Sequence, residues 1–180
     1  MIISPKTYTV ESVTSGHPDK ICDQISDAIL DACLSQDPYS RVAIESMGAH
    51  GLLVIGGEVT TKANFDPVKI ASNLYRKIGY KEKLKIVTDI VKQSPDISMG
   101  VNKGGAGDQG IMYGFATNET EELLPYAVVL VHKLTSGLEK LRKSKKVLWL
   151  KPDGKAQVTI SNGKIKTILV SCQHDEKVSK

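Results

Sequence analysis

The sequence predicts an α+β fold in which one β-α-β-β-α-β module is followed by a second, unfinished one. Three observations carry that expectation. Apolar residues alternate between helical spacing and short strand-like runs, glycine-bearing turns join neighbouring strands, and a long stretch rich in Gly, Asp and Ser separates the two series.

Thr7 to Glu11 reads as a strand, which Ser15-Gly16-His17-Pro18 ends, with Pro18 placed where helices start. In the helix that follows, Ile21, Ile25, Ala28, Ile29 and Ala32 share one face and Asp23, Asp27 and Asp31 another, until Asp37-Pro38 stops the pattern. Arg41 to Met47 and Leu52 to Thr60 form a hairpin across His50-Gly51, because glycine tolerates positive φ. Asp66 is an N-cap before an N1 proline, Pro67. Val68, Ala71, Leu74, Tyr75 and Ile78 then line one helical face up to Gly79. Leu84 to Val91 is the closing strand of one sandwich of helices on a sheet.

Lys92 to Gln109 has no periodicity and is long for a connection, as functional loops often are. The second series runs from a strand at Gly110 to Thr117, through a helix from about Leu123 to Arg142, to strands Gln157 to Ser161 and Lys164 to Cys172. Asn162-Gly163 is the turn between the last two. A matching helix and strand do not follow, so an apolar sheet face and an open edge are expected.

The chain has 180 residues, 41% of them hydrophobic and 24% charged, enough for one or two cores and unlike a disordered composition. A net charge of +4 is too balanced to drive nucleic-acid or membrane binding, and leaves a small anionic ligand open. The basic run Lys140, Arg142, Lys143, Lys145 and Lys146 reads as a solvated helix end. Cys22, Cys33 and Cys172 have no metal or redox spacing, which points to a reducing, cytoplasmic setting. The N-terminus shows no signal-peptide pattern and the longest apolar run, Ala127 to Val131, cannot span a bilayer.

Gly16-His17-Pro18-Asp19-Lys20 lies at a helix start, where free N–H groups and the helix dipole favour an anion. His17 and Lys20 add donors, and Asp19 offers an oxygen to a magnesium ion bridging phosphates. On spacing alone, the ordinary case is that Asp19 complements the dipole and His17 acts as a cap. Gly104 to Gly110 carries Asp108, lacks the P-loop and dinucleotide patterns, and reads either as a ligand loop or as a hinge. Glu45 and Glu58 sit on the hairpin strands, where solvent-facing carboxylates are the ordinary case. Pro152-Asp153-Gly154-Lys155 reads as a turn before a strand. His50, His132 and His174 join no nucleophile or metal constellation.

Seven ordered motifs nevertheless coincide: Glu11-Ser12-Val13 with Gly16 to Lys20, Asp23 to Ala28, Gly56-Gly57-Glu58, Gln93 to Ile97, Gly105 to Gly110, Ala116 to Glu119, and Pro152-Asp153 with Lys155. In order and approximate spacing they resemble the methionine adenosyltransferases (S-adenosylmethionine synthetases), and they match the N-terminal half of that family. The resemblance implies the family's fold of repeated β-α-β-β-α-β modules. Residues 1–103 would form the N-terminal module, with a mobile gate from about 92, and 104–180 would begin the central one. It implies S-adenosylmethionine synthesis from ATP and L-methionine, followed by triphosphate hydrolysis. His17 and Lys155 would be catalytic; His17, Asp153 and Lys155 would bind ATP; Glu58, Gln93 and Asp108 would bind methionine. Asp19 would take magnesium and Glu45 potassium.

The family's active sites lie between subunits, so a homodimer or tetramer is implied. The gate segment is several residues shorter than in relatives. The family's later Arg-Lys pair, lysine-bearing glycine segment and second magnesium aspartate are absent. A partial or split enzyme, completed by a chain carrying the C-terminal half, is therefore expected. The alternative is a non-catalytic regulatory subunit that dimerises with a full-length enzyme.

Overall fold

The computed structural model describes residues 6–101, 104–106 and 109–178. They divide into two compact units, Ile21–Tyr113 and Met1–Lys20 with Gly114–Lys180. The α+β class is as the sequence predicts, with two three-stranded sheets and four helices among the described residues.

In the Ile21–Tyr113 unit, helix α1 (Pro18–Leu34) leads to strands β2 (Arg41–Ala49) and β3 (Leu52–Thr60), helix α2 (Pro67–Ile78) and strand β4 (Lys85–Val91), in the sheet order β2-β3-β4. β2 and β3 are antiparallel and β4 runs parallel to β3, with α2 as the crossover. The β2–β3 turn places His50 at φ 48° and Gly51 at φ 80°, the left-handed pair that a two-residue hairpin requires. Ile21, Ile25, Ile29 and Cys33 of α1 pack with Ile44, Leu53, Ile55 and Val59 of the sheet and with Ala71 and Ile78 of α2. Ile25, Ile29 and Ile55 are fully buried, and each such side chain contributes roughly 1.5–3 kcal/mol. Asp66 caps α2 by accepting from Lys69 N at 3.0 Å, and Gly79 closes it at φ 126°.

The other unit holds strand β1 (Thr7–Val13), helix α4 (Tyr126–Lys143) and strands β5 (Leu150–Ser161) and β6 (Lys164–His174), in the antiparallel order β1-β5-β6. Ala127 and Val131 of α4 pack on Ala156, Val158 and Ile160, with Tyr8 and Val10 beside them. On the opposite face, hydroxyl pairs Thr7–Ser161 at 2.8 Å and Thr9–Thr159 at 2.9 Å form a polar ladder. Ile165, Ile168, Leu169 and Val170 of β6 are 44–50% exposed, which is the apolar surface expected on an edge strand.

Several expectations are corrected. β1 does not join the β2-β3-β4 sheet: all seven of its residues pair with β5, about 150 positions away, a partnership that local periodicity does not encode. Within the stretch expected to be irregular, helix α3 (Pro95–Val101) forms, with Ser94 Oγ accepting from Asp96 N at 3.3 Å and Asp96 in its first turn. Gly110 to Thr117 is not a strand. No ladder among the described residues receives it, and Ile111, Met112, Tyr113 and Phe115 are exposed. α4 starts three residues later than the apolar pattern does, because Pro125 excludes helical geometry from Leu124 and Leu123 turns left-handed at φ 57°. Pro152 to Lys155 is strand rather than turn. A register shift between Leu150 and Gly154 accommodates the proline, and Thr14 Oγ1 donates to its carbonyl at 2.7 Å.

Candidate functional site

The loop between β1 and α1 is seated on β5. Thr14 N donates to Gly154 O at 2.8 Å, and Thr14 Oγ1 donates to Pro152 O at 2.7 Å and to Gly154 O at 3.2 Å. Gly16 then passes so close to β5 that a Cβ there would lie 2.4 Å from Pro152 Cβ and 2.5 Å from its carbonyl oxygen, so only glycine fits. His17 N donates to Thr14 O at 3.1 Å and closes the turn. Two stretches some 135 residues apart, the His17 loop and the Asp153–Lys155 strand, are thereby held against each other.

His17 Nδ1 accepts from Asp19 N at 3.3 Å and lies 3.8 Å from Asp19 Oδ2. In the neutral ring that bond assigns the proton to Nε2, which is left as a donor. The Asp19 side chain is 91% exposed, with its carboxylate at the positive end of α1. Lys20 Nζ donates to Val13 O at 3.2 Å.

On β5, Asp153, Lys155 and Gln157 alternate with buried Gly154 and Ala156, and so occupy the face opposite α4. Lys155 pairs with Glu11 of β1, which also accepts from Gln157 Nε2 at 3.0 Å. The Lys155 and Gln157 hydrogen bonds hold the Glu11 carboxyl below its ordinary range. In the sequence Glu11 opens the first of the seven motifs but carries no site role; its place on a strand with polar neighbours at alternate positions is the signal that points to one.

Beneath the loop, Glu139 of α4 accepts from Ser15 N at 3.2 Å and from Ser15 Oγ at 2.7 and 2.8 Å, and is paired with Arg142 and Lys143. Burial pushes its carboxyl up, but the Ser15 and Lys143 hydrogen bonds prevail and lower it to about 2. The basic run expected to be a solvated helix end is thus partly structural, since the Arg142 side chain is only 14% exposed. A groove of about 430 Å³ runs beside it, lined by Ser15, Lys20, Ser136, Lys140 and Lys143 among others.

Glu45, Glu58 and Gln93 belong to the Ile21–Tyr113 unit. Glu45 faces Gly56 in the β2–β3 register and Glu58 lies two residues further along, so both carboxylates occupy the sheet face turned away from α1 and α2. Asp89 of β4 also sits opposite Gly56 on that face. Gln93 Oε1 is buried and accepts no hydrogen bond among the described residues. Asp108 lies outside the described residues.

Together these features define an α+β protein of small three-stranded sheets, with a polar candidate site assembled where its first helix begins. A family described as S-adenosylmethionine synthetase, N-terminal domain, matches residues 5–98, and its central domain matches 103–180. The chain belongs to the S-adenosylmethionine synthetase family. An S-adenosylmethionine synthase of Brachyspira hyodysenteriae is 47% identical over 193 residues, covering 93% of this chain and 49% of that protein. One from Mesoplasma florum is 49% identical over 190 residues, covering 96% and 50%. S-adenosylmethionine synthase 1 of Rhodopseudomonas palustris is 46% identical, covering 96% and 49%. The chain spans about half the length of these curated relatives. The alignments with the first two are longer than the 180 residues of the chain, so those relatives carry residues within the matched span that this one lacks.

Proposed function

We propose that this chain supplies part of the substrate site for S-adenosylmethionine synthesis from ATP and L-methionine, as a partial or split enzyme. The observation that carries the reading is the seating of the His17 loop on Pro152 and Gly154, which brings an imidazole, a helix start and a strand lysine to one locality. In that reaction the methionine sulfur attacks the ribose 5′ carbon and triphosphate departs. A thioether has no proton to remove, so the demand falls on alignment and on stabilising a polyanion. His17 Nε2–H, the α1 amides and Lys155 are donors of the required sign, and Asp153 contacts the nucleotide. Lys155 must exchange Glu11 for phosphate, which keeps the lysine ordered and in reach before the ligand arrives.

Among the described residues no cluster of three His, Cys, Asp or Glu side chains could hold a metal alone. Asp19 and Glu45 therefore fit magnesium and potassium only as single oxygen ligands, in sites completed by polyphosphate or water. When bound, such cations supply charge neutralisation to the phosphates. Glu58 and Gln93 serve methionine in this reading, and the unsatisfied Gln93 Oε1 is an acceptor suited to a ligand N–H. Asp108 is assigned to the methionine ammonium group by family resemblance. Met47, Val87 and Val91 are exposed on the β2-β3-β4 face beside Glu45 and Glu58, which suits sheet-to-sheet association into a homodimer or tetramer. No helix among the described residues is long and apolar enough to cross a membrane. A cytoplasmic location is part of the proposal and rests on the family resemblance.

Calorimetric titration with ATP and magnesium tests the reading. His17→Ala and Lys155→Ala should each weaken binding about tenfold, as expected for a lost charge-assisted hydrogen bond. Glu11→Gln, which releases Lys155, should tighten it by about twofold to fivefold. No nucleotide binding by the unsubstituted chain, or binding indifferent to all three changes, would contradict it.

A further inference from the structure

Glu139 belongs to none of the motifs that carry the family resemblance, yet its carboxylate is fully engaged. Oε1 takes Ser15 Oγ at 2.7 Å, Arg142 Nη2 at 3.0 Å and Lys143 Nζ at 2.9 Å; Oε2 takes Ser15 Oγ at 2.8 Å and Ser15 N at 3.2 Å. The side chain is 17% exposed. Its helix is fixed to the sheet by Ala127, Val131 and Thr135, and Glu139 follows Val131 and Thr135 at successive i+4 steps, on the same face. The carboxylate is therefore presented from a rigid element to a loop that is also seated on β5 by the Thr14 and Gly16 contacts with Pro152 and Gly154.

We infer that Glu139 is a positioning residue for the phosphate site. It grips Ser15 and so fixes where His17, two residues later, and the first turn of α1 stand relative to β5. The inference rests on the functional reading above. An acid beside an anion site would ordinarily repel the ligand, but Arg142 and Lys143 on the same carboxylate offset its charge. The arrangement thus gives the loop a strong double acceptor without leaving an unbalanced negative charge. The competing role on the same helix is that of i,i+3 and i,i+4 ion pairs that only support the end of α4.

The two roles separate by experiment. Amide hydrogen exchange and affinity for inorganic tripolyphosphate are measured on the full chain and on Glu139→Ala, Glu139→Gln, Ser15→Ala and the Ser15→Ala/Glu139→Ala pair. The clamp predicts that Glu139→Ala speeds exchange at Ser15 about tenfold, with that of Ala156 and Val158 unchanged, and weakens tripolyphosphate about fivefold. Glu139→Gln, which keeps an acceptor oxygen but no ion pair, should recover a large part of both. The Ser15 and Glu139 changes should be non-additive, because they remove one interaction. Equal losses in the Gln and Ala variants, additive effects, or unaltered Ser15 exchange would overturn the clamp. Failure of the unsubstituted chain to bind tripolyphosphate overturns instead the reading of the site, and the positioning role with it.

Discussion

At the scale of single residues, close approach and charge neutralisation set the candidate site. Gly16 has no room for a methyl group against Pro152. Gly16→Ala should cost about 1–3 kcal/mol as an overpacked contact, read as a lower denaturant midpoint, and should displace the His17 loop. Glu139 titrates at about 2 in the folded chain against an ordinary 4.5. A depressed acid contributes stability that is complete above its unfolded value and is lost as pH falls from about 4.5 toward about 2. The stability difference between the natural chain and Glu139→Gln should therefore shrink across that window, with the two unfolding midpoints converging near pH 2. The sequence made His17, Asp19, Asp153 and Lys155 legible as a motif set. It did not make the partner of Glu11, or Glu139 at all, legible, because a carboxylate announces its partner only once strand register or a distant loop is known.

At the scale of elements, legibility followed how local the determining physics is. α2 was readable end to end because Asp66, Pro67 and Gly79 act within four residues of themselves. Asp66→Ala should cost about 1 kcal/mol through the lost cap, measurable in the unfolding transition and absent from ligand affinity. The two hairpin turns were readable for the same reason, with His50-Gly51 and Asn162-Gly163 at the required positive φ values. Residues 110–117 show the opposite case. Their composition suits a strand, but a strand exists only where a partner edge receives it, and none among the described residues does. Pro152 and Gly154 likewise carry turn chemistry locally, and are overridden by the Thr14 contacts and by the pairing of Gly154 with Cys172 of β6.

At the scale of the whole molecule, chain order and spatial order diverge. β1 opens the sequence and pairs with β5 near its other end, so the motifs around His17 and Lys155 meet through antiparallel register. Linear module counting captured the α+β class and missed this exchange. The central claim is that Thr14 to Lys20 and Pro152 to Gln157 act as one polyanion site. Amide chemical-shift mapping during titration of the intact chain with magnesium and ATP tests it most directly. The account predicts that saturating shifts concentrate in those two segments, with one shared dissociation constant. Shifts confined elsewhere, for instance to β6 or α2, or separate constants for the two segments, would contradict it.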